Sequence, residues 1–422
     1  MYTHPLRDQI VTEVHARPFQ QISAPLALLQ IAILHDEQDP GLVERRVREL
    51  ALAEGFELDA KGTGFFFVRQ GQRALRYEPH SEFYSLTFYG LGDIQVPELP
   101  AGWSEALPGA FLCGVEVLFR REANDFDGWV DEHFDPAEPG ATQINGSDVM
   151  GHAAALRTDF RARKDNGYNR VLVQDQGGMT LFQAGRLLQR ICEIETYRHM
   201  ALLALPLALE TMPMVSRLDQ RLAGVVERIA EPDSGAAALL QELMSLAAQV
   251  EGLSAHTANR FSASEAYFAL VDRRIAELRE SRIEGLQTVE QFMERRLDPA
   301  HRTCRSTGER IERLSQRIAR STDLIRSQVD LSIENQSRDL LRGINHRARS
   351  QLRLQAKLES FTVIVVTYYA FDLIDRTLRN VVVDETLESR ASFALSASVP
   401  VIALGLFWYV RRLLKGYDKD EE

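Results

Sequence analysis

The feature that most constrains this chain is an uncharged run near its C-terminal end, ASFALSASVPVIALGLFWYV at 391–410, which has 20 residues. About 20 helical residues are needed to cross roughly 30 Å of hydrocarbon. Two aromatic residues close the run and three basic residues follow it: Trp408, Tyr409, Arg411, Arg412 and Lys415. This order is typical of the cytoplasmic edge of a spanning helix. The run therefore predicts a transmembrane helix, in which Pro400 would introduce a kink.

A shorter apolar run upstream, FTVIVVTYYAFDLI at 361–374, has 14 residues and contains Asp372. Taken alone, it fits a buried helix or an interfacial segment. However, the N-terminal sequence MYTHPLRDQI has no apolar segment of a secretory signal, and the basic cluster after Val410 places the C-terminal end inside. Two ends on one side require an even number of crossings. We therefore predict a transmembrane hairpin with both termini cytoplasmic. Its two spans and the tail cover about 358–378, 391–410 and 411–422.

Charged residues around the first predicted span support this topology. Asp372 and Asp375 fall inside it, and a lipid-facing carboxylate is costly. We expect both to lie near the outer interface or to face a neighbouring subunit. Basic residues precede the span on the side predicted to be cytoplasmic: Arg342, Arg347, Arg349, Arg353 and Lys357.

The first part of the chain, residues 1–178, predicts an α+β cytoplasmic domain. Turns are indicated at Gly71 and at Asn166-Gly167. The expected elements, in chain order, are a strand at 25–34, a helix at 41–55, two or three strands within 64–90, a strand at 111–121, a loop at 131–150 and two strands within 151–176.

Residues 179–357 predict a long helical, coiled-coil-like region. Thr180 is a candidate N-cap, and Pro206 should kink or end the helix that follows it. Apolar residues then recur every three or four positions along 265–297, with one skip, until Pro299. A second long helix is predicted from Thr307 towards the first span. Its apolar stripe comprises Ile311, Leu314, Ile318, Ile325, Leu340, Ile344 and Leu352. The stripe must pack on the preceding helix or on another copy of the chain, which predicts a homo-oligomer.

The formal charge of −11 argues against nucleic acid as a partner. This charge is uneven, because His256–Lys357 carries 20 Lys and Arg against 14 Asp and Glu, so the rest of the chain carries −17. The chain is thus an acidic body with a basic, Arg-rich segment. Only three cysteines occur, Cys113, Cys192 and Cys304, far apart in the sequence. An odd, scattered set argues against a disulfide framework and fits a reducing compartment.

Two short stretches combine histidine with charged residues. In VTEVHARPF, Glu13, His15 and Arg17 share one face if the segment is a strand, and Glu78, His80 and Glu82 do the same if 76–89 is a strand. Together the two sets are able to bind a divalent metal or to supply an acid–base pair. The alternative is a structural clasp, in which Arg17 and His15 bind carboxylates such as Glu78 and Glu82 and fix the N-terminal segment to the body. We favour the clasp.

Other motifs with known chemistry are absent from the sequence, including GxxxxGK[ST], GxGxxG after a strand, HExxH and GxSxG. Gly177-Gly178 is best interpreted as a turn between a strand and a helix. Glu195 and His199, four residues apart on a predicted helix, indicate a simple side-chain pair. The sequence therefore assigns no catalytic residue and identifies no cofactor.

Four stretches that span nearly the whole chain resemble one bacterial family, the domain-of-unknown-function family numbered 3422. They are TEVHARPF, RYEPHSEFYSLTFY, MTLFQAGRLLQRICEIETYRHMALLALP and LRLQAKLESFTVIVVTYY. The resemblance implies a bacterial membrane-associated protein, and hence an inner-membrane location, but it implies no activity. A looser likeness in overall plan is to CorA-type magnesium channels. These carry a Gly-Met-Asn signature after the first span, where this chain reads AFDLIDRTL.

Three functions are therefore considered. The favoured one is a non-enzymatic, membrane-anchored homo-oligomer whose partners are the bilayer and further copies of the chain. The alternatives are a CorA-like cation channel that lacks the signature, and a membrane-tethered enzyme or metal-binding module that uses the region of His15 and His80.

Overall fold

The computed structural model describes the chain in several stretches. These are residues 4, 7, 19–35, 40–58, 64–121, 125–134, 143–229, 235–381, 397–398, 400–402, 404–405, 408–409 and 412. Its contacts divide the chain into two units, Met1–Thr322 and Asp323–Glu422. Most of the second predicted span, the predicted outer loop and most of the tail lie outside the described residues.

The first unit contains a mixed sheet. Its strands are β1 (Leu26–Leu34), β2 (Phe66–Gln70), β3 (Arg73–Pro79), β4 (Phe83–Leu91), β5 (Ala110–Arg120), β6 (Asn145–Val149), β7 (Ala154–Thr158), β8 (Tyr168–Asp175) and β9 (Ser281–Arg282). They lie in the order β2-β3-β4-β1-β5-β8-β7-β6-β9. Neighbouring strands are antiparallel except β5 and β8, which are parallel.

In the sequence, helices lie between the strands and after them. They are α1 (Pro40–Ala53), α2 (Trp103–Ala106), α3 (Phe126–His133), α4 (Leu181–Leu202), α5 (Ala204–Ile229), α6 (Ala236–Leu278), α7 (Val289–Arg296) and α8 (Asp298–Val381). The predicted α+β domain followed by long helices is thus confirmed.

Both faces of the sheet are buried, so the central strands carry apolar residues on both faces rather than on alternate positions. On one face, Ile31 of β1 and Leu86 of β4 pack with Val47 of α1. On the opposite face, apolar residues of β1, β5 and β8 pack with Leu188 of α4 and Val271 of α6. Because α4 and α6 belong to this core, the sheet and the helices up to Thr322 form one unit, and the packing shows no boundary at the predicted position after residue 178.

Helix α4 begins and ends where the sequence predicted. Thr180 caps it, and its side chain accepts a hydrogen bond from the backbone N–H of Gln183. The helix ends at Leu202, and α5 starts two residues later with Pro206 in its first turn. Proline has no N–H to donate to the carbonyl of Leu202, so the regular hydrogen-bond pattern stops there.

The prediction of one helix over 265–297 is wrong. The helix α6 ends at Leu278, and Arg279 follows in the left-handed conformation with φ 50°. Ser281–Arg282 then joins the sheet as β9 beside β6, and α7 begins only at Val289. The apolar period continues across the break, which is why the sequence pattern did not reveal it.

Two further expectations need correction. The predicted loop at 131–150 contains the strand β6, and α3 reaches His133. The last long helix starts at Asp298 rather than Thr307. Pro299 lies in its first turn, where the missing N–H has no helical partner to lose, so this proline starts a helix instead of separating two.

The stripe predicted for oligomerisation is partly buried within the first unit. Ile311, Leu314 and Ile318 are at most 4% exposed. On neighbouring turns of α8, Arg310 donates to Ser216 Oγ of α5 at 3.1 Å, and Arg317 forms an ion pair with Asp219 of α5. These residues therefore pack inside one chain.

The second unit consists of the rest of α8 and the described residues between 397 and 412. Beyond Ile325, which is 1% exposed, most of the described apolar side chains of α8 are exposed. Those that are more than half exposed include Leu331, Ile333, Leu340, Leu341, Ile344, Leu352, Leu354, Leu358, Phe361, Ile364, Val366, Tyr368, Tyr369 and Leu373.

Candidate functional site: a buried polar cluster between the sheet and α4

The buried face of the sheet that lies under α4 carries an unusual row of polar residues. The strand register places Gln30 of β1 opposite Thr87 of β4, and Thr87 opposite Arg76 of β3. In the next row, Glu78 stands opposite Ser85. All five are at most 9% exposed. Buried polar groups of this density need partners, because an unpaired one costs about 1–3 kcal/mol.

Helix α4 supplies part of these partners. Arg76 Nη1 donates to Gln189 Oε1 at 3.0 Å, and Gln189 Nε2 donates to Glu193 Oε1 at 2.7 Å. Arg76 Nη2 also lies 2.9 Å from Glu78 Oε2. A chain of contacts thus links the sheet to the helix.

The chain of contacts continues to α6. Glu193 forms an ion pair with Arg274, which donates to Glu277 Oε2 at 3.0 Å. Arg190 donates to the same carboxylate oxygen at 3.0 Å. With Arg76, Glu78 and the more exposed Arg273, whose Nε lies 3.4 Å from Glu277 Oε1, the cluster contains four guanidinium groups and three carboxylates.

Burial and neighbouring charges shift the pKa values in this cluster. Burial is the largest influence on Arg76 and by itself lowers its pKa, but Glu78 and Tyr89 outweigh it and the net pKa is raised. Burial raises the pKa of Glu193 against the opposing effects of Gln189 and Arg274. Burial also raises the pKa of Tyr89 to about 12. These directions keep Arg76 charged and Tyr89 neutral at neutral pH.

The space enclosed by the cluster is small, with a cavity of about 20 Å³. Arg76 Nε and Gln30 Oε1 line this region and have no hydrogen-bond partner among the described residues. A cavity of this size has room for about one water molecule, which would satisfy both atoms. The arrangement can therefore hold the sheet and α4 together, but it has no room for an organic substrate.

A glycine allows the chain to approach α4 at the edge of this cluster. A Cβ atom at Gly185 would collide with the carbonyl oxygen of Gln20. Ile22, two residues further on, donates its backbone N–H to Leu181 O at 3.2 Å. The segment that precedes β1 is therefore fixed against the start of α4.

The predicted residues Glu78, His80 and Glu82 do not lie on one strand. The prediction of one strand over 76–89 is wrong, because β3 ends at Pro79 and β4 begins at Phe83. Of these three residues, only Glu78 takes part in the ion pairs of the polar cluster. The ring of His80 stacks on Phe83 with 4.2 Å between centroids.

Glu82 instead binds Arg260 of α6, with 3.1 Å between Oε2 and Nη2. Glu78 and Glu82 thus each have an arginine partner in the described part of the chain. The other proposed members of the site, Glu13, His15 and Arg17, lie outside the described residues, so the clasp stays a prediction. Among the described residues, no group of three or more His, Cys, Asp or Glu is placed to hold a metal ion.

A second buried polar group surrounds Glu195 of α4. Its carboxylate accepts hydrogen bonds from Arg198 at 2.7 and 2.8 Å and from Asn169 of β8 at 3.0 Å. His199 Nδ1 lies 2.8 Å from the backbone oxygen of Glu195 and 3.4 Å from its Oε1, so its hydrogen bond is to the backbone rather than to the predicted side chain. Burial lowers the pKa of His199, although Glu195 opposes the shift. The group connects α4 to the sheet and leaves the Glu195 carboxylate fully occupied.

The predicted membrane residues belong to the second unit. Asp372 forms an ion pair with Arg376 one turn later, at 3.1 Å. The Asp375 side chain lies outside the described part of the chain. Ile364–Ile374 is an apolar helical stretch of 11 residues, shorter than a full span. One described helical segment, Leu181–Ile229, is long and apolar enough to cross a membrane, but its Leu187 and Ala208 are fully buried in the first unit.

Sequence reasoning missed most of the polar cluster. A signal was present at Gln30, the one polar residue in the strand LALLQIAIL. Arg76, Gln189 and Arg274 gave no comparable signal, because each is an ordinary surface residue in its local pattern.

The described chain is thus a mixed sheet with two buried polar groups, followed in the sequence by a long helix. A family described as "Protein of unknown function (DUF3422)" matches residues 2–416, and the chain belongs to this family. No curated protein and no solved structure matches the chain.

Proposed function

We propose that this protein is a non-enzymatic, membrane-anchored homo-oligomer with a large cytoplasmic body. The observation that carries the proposal is the apolar surface at the end of α8. Leu358, Phe361, Ile364, Val366, Tyr368, Tyr369 and Leu373 are each 60–70% exposed. A contiguous apolar surface of this kind is unfavourable in water and marks a membrane or protein contact. The uncharged run at 391–410 follows in the sequence and favours the membrane.

The proposed topology is a hairpin with both termini in the cytoplasm, in a bacterial inner membrane. The first crossing uses the end of α8, and the second uses 391–410. Asp372 supports a crossing that ends near its position, since its ion pair with Arg376 reduces the cost of a carboxylate at the outer interface.

The non-enzymatic role is supported by the buried polar cluster, whose charged side chains bind one another. Such a network contributes to the stability and orientation of the helices.

Reporter fusions test the topology. We expect a reporter after Lys415 to be active on the cytoplasmic side and a reporter at Asp384 to be active outside. A matched fusion after Lys357 should report the cytoplasm. An external reporter after Lys415 would show that the end of α8 does not cross, and the hairpin would be rejected.

A further inference from the structure

The ion pairing of arginines changes along α8. In the part that belongs to the first unit, Arg305 and Arg313 contact Glu309 at 3.1 and 3.6 Å. Further along, Arg338 contacts Glu334 at 2.6 Å. In each of these pairs the arginine is neutralised by a carboxylate about one turn away.

Beyond Asp339 this neutralisation stops. Residues 340–358 contain five basic residues and no acidic residue. Arg349, Arg353 and Lys357 are exposed and form no ion pair with any carboxylate that the structure describes. This stretch of α8 thus presents uncompensated positive charge, whereas the chain as a whole carries −11.

The three residues also share one side of the helix. At 100° per residue, Arg349, Arg353 and Lys357 fall within an arc of about 80°. We call this the basic stripe. The opposite side carries Leu340, Ile344 and Leu358, which are 59–67% exposed. Apart from Arg347, which falls beside Leu340 and Leu358, basic and apolar side chains are therefore separated around this part of α8.

The position of the basic stripe along α8 indicates which kind of ligand it binds. With a rise of 1.5 Å per residue, Lys357 lies about 6 Å and Arg353 about 12 Å before Phe361, where the exposed apolar surface continues. The headgroup layer is roughly 5–7 Å deep. At physiological salt, electrostatic attraction extends about 8 Å beyond it. Lys357 and Arg353 fall within this distance, and the long side chain of Arg349 reaches its limit.

We propose that the basic stripe, Arg349, Arg353 and Lys357, binds the headgroups of anionic lipids at the cytoplasmic surface of the bilayer. The proposal rests on the proposed anchoring through the end of α8. Clusters of basic residues next to a spanning helix favour anionic lipids, by roughly fivefold for each residue near the surface. A nucleic acid is disfavoured as the ligand, because the chain outside His256–Lys357 carries a net charge of −17 and would repel a polyanion.

The test uses the full chain purified in mild detergent and mixed with equal amounts of phosphatidylglycerol and phosphatidylcholine. Lipid retained after gel filtration is quantified for three proteins. These are the parent, a stripe variant (Arg349→Gln, Arg353→Gln, Lys357→Gln) and a control with the same charge change on α8 (Arg305→Gln, Arg313→Gln, Arg320→Gln).

We expect the parent and the control to retain roughly tenfold more phosphatidylglycerol than phosphatidylcholine. This preference should vanish in 1 M salt. The stripe variant should retain the two lipids nearly equally. Equal retention by the parent overturns the proposal. So does binding of duplex DNA by the parent that the stripe variant loses.

Flotation separates this proposal from the anchoring on which it depends. All three proteins should float with pure phosphatidylcholine vesicles in 1 M salt, because insertion uses the apolar segments. If they float but show no phosphatidylglycerol preference, only the stripe proposal fails. If none floats, the anchoring fails and the stripe proposal fails with it.

Discussion

At the scale of single residues, the main finding is that buried charge in this protein is paired across elements. Arg76 of β3 contacts Glu78 on its own strand and Gln189 on α4. Glu195 of α4 contacts Asn169 on β8. These contacts fix the orientation of α4 on the sheet, which apolar packing alone does not specify.

We predict that Arg76→Leu lowers the free energy of unfolding of the first unit by about 3–5 kcal/mol, because Glu78 is then buried without its guanidinium partner. The free energy is measured by urea denaturation of the full chain in detergent. The double variant Arg76→Leu with Glu78→Leu should recover at least half of this loss, since no charge is left uncompensated. Losses that simply add in the double variant would argue against a coupled pair.

The sequence predicted little of this chemistry, for a physical reason. Glu78, His80 and Glu82 were grouped because alternate residues of a strand share a face, but the chain turns at His80–Glu82 and the premise fails. The network that does form joins Arg76 to Gln189, which are 113 residues apart. Local sequence patterns cannot predict a contact between residues so far apart in the sequence.

At the scale of elements, the sequence predicted most of what local patterns control. The strand at 25–34, the helix at 41–55 and the cap at Thr180 agree with β1, α1 and α4. It failed at Arg279, where a positive φ ends α6 without glycine or proline as a signal. Tertiary pairing of β9 with β6 decides the conformation there.

The long helix α8 shows the same contrast between buried and exposed apolar residues. We predict that Leu314→Glu with Ile318→Glu lowers the free energy of unfolding of the first unit by at least about 5 kcal/mol, because both carboxylates would be buried without partners. The matched variant Leu209→Glu with Met244→Glu changes apolar positions of the first unit that are 55% and 64% exposed. Its free energy of unfolding should lie within about 0.5 kcal/mol of the parent's. Circular dichroism melting distinguishes the two, and equal destabilisation would contradict the difference in burial.

At the scale of the whole molecule, the two units differ in how they cover apolar surface. In the first unit, the helices bury it against the sheet and against one another. In the second, α8 has an exposed apolar side formed by Ile333, Leu340, Ile344 and Leu358. At 100° per residue these four fall within an arc of about 40°, which suits contact with the same helix of another copy.

We predict that the full chain in mild detergent has the mass of a homo-oligomer and that Leu340→Glu with Ile344→Glu reduces this mass to that of the monomer. Like charges introduced at a shared helical contact repel one another. The control is Leu209→Glu with Met244→Glu, at apolar positions of the first unit that are 55% and 64% exposed. Light scattering on gel filtration measures the mass. A monomeric parent, or an unchanged mass for the α8 variant, would reject oligomerisation through this side.

The placement of α8 within the first unit has a consequence for biosynthesis. The first unit includes β9 and the start of α8, so it cannot be completed until the chain has been made to Thr322. About 40 residues then separate this point from Phe361, which corresponds to roughly 2–8 s of translation at 5–20 residues per second. Domains of mixed topology fold within milliseconds to seconds. Under the proposed anchoring, the apolar end of α8 is therefore synthesised only after the first unit has had time to begin folding.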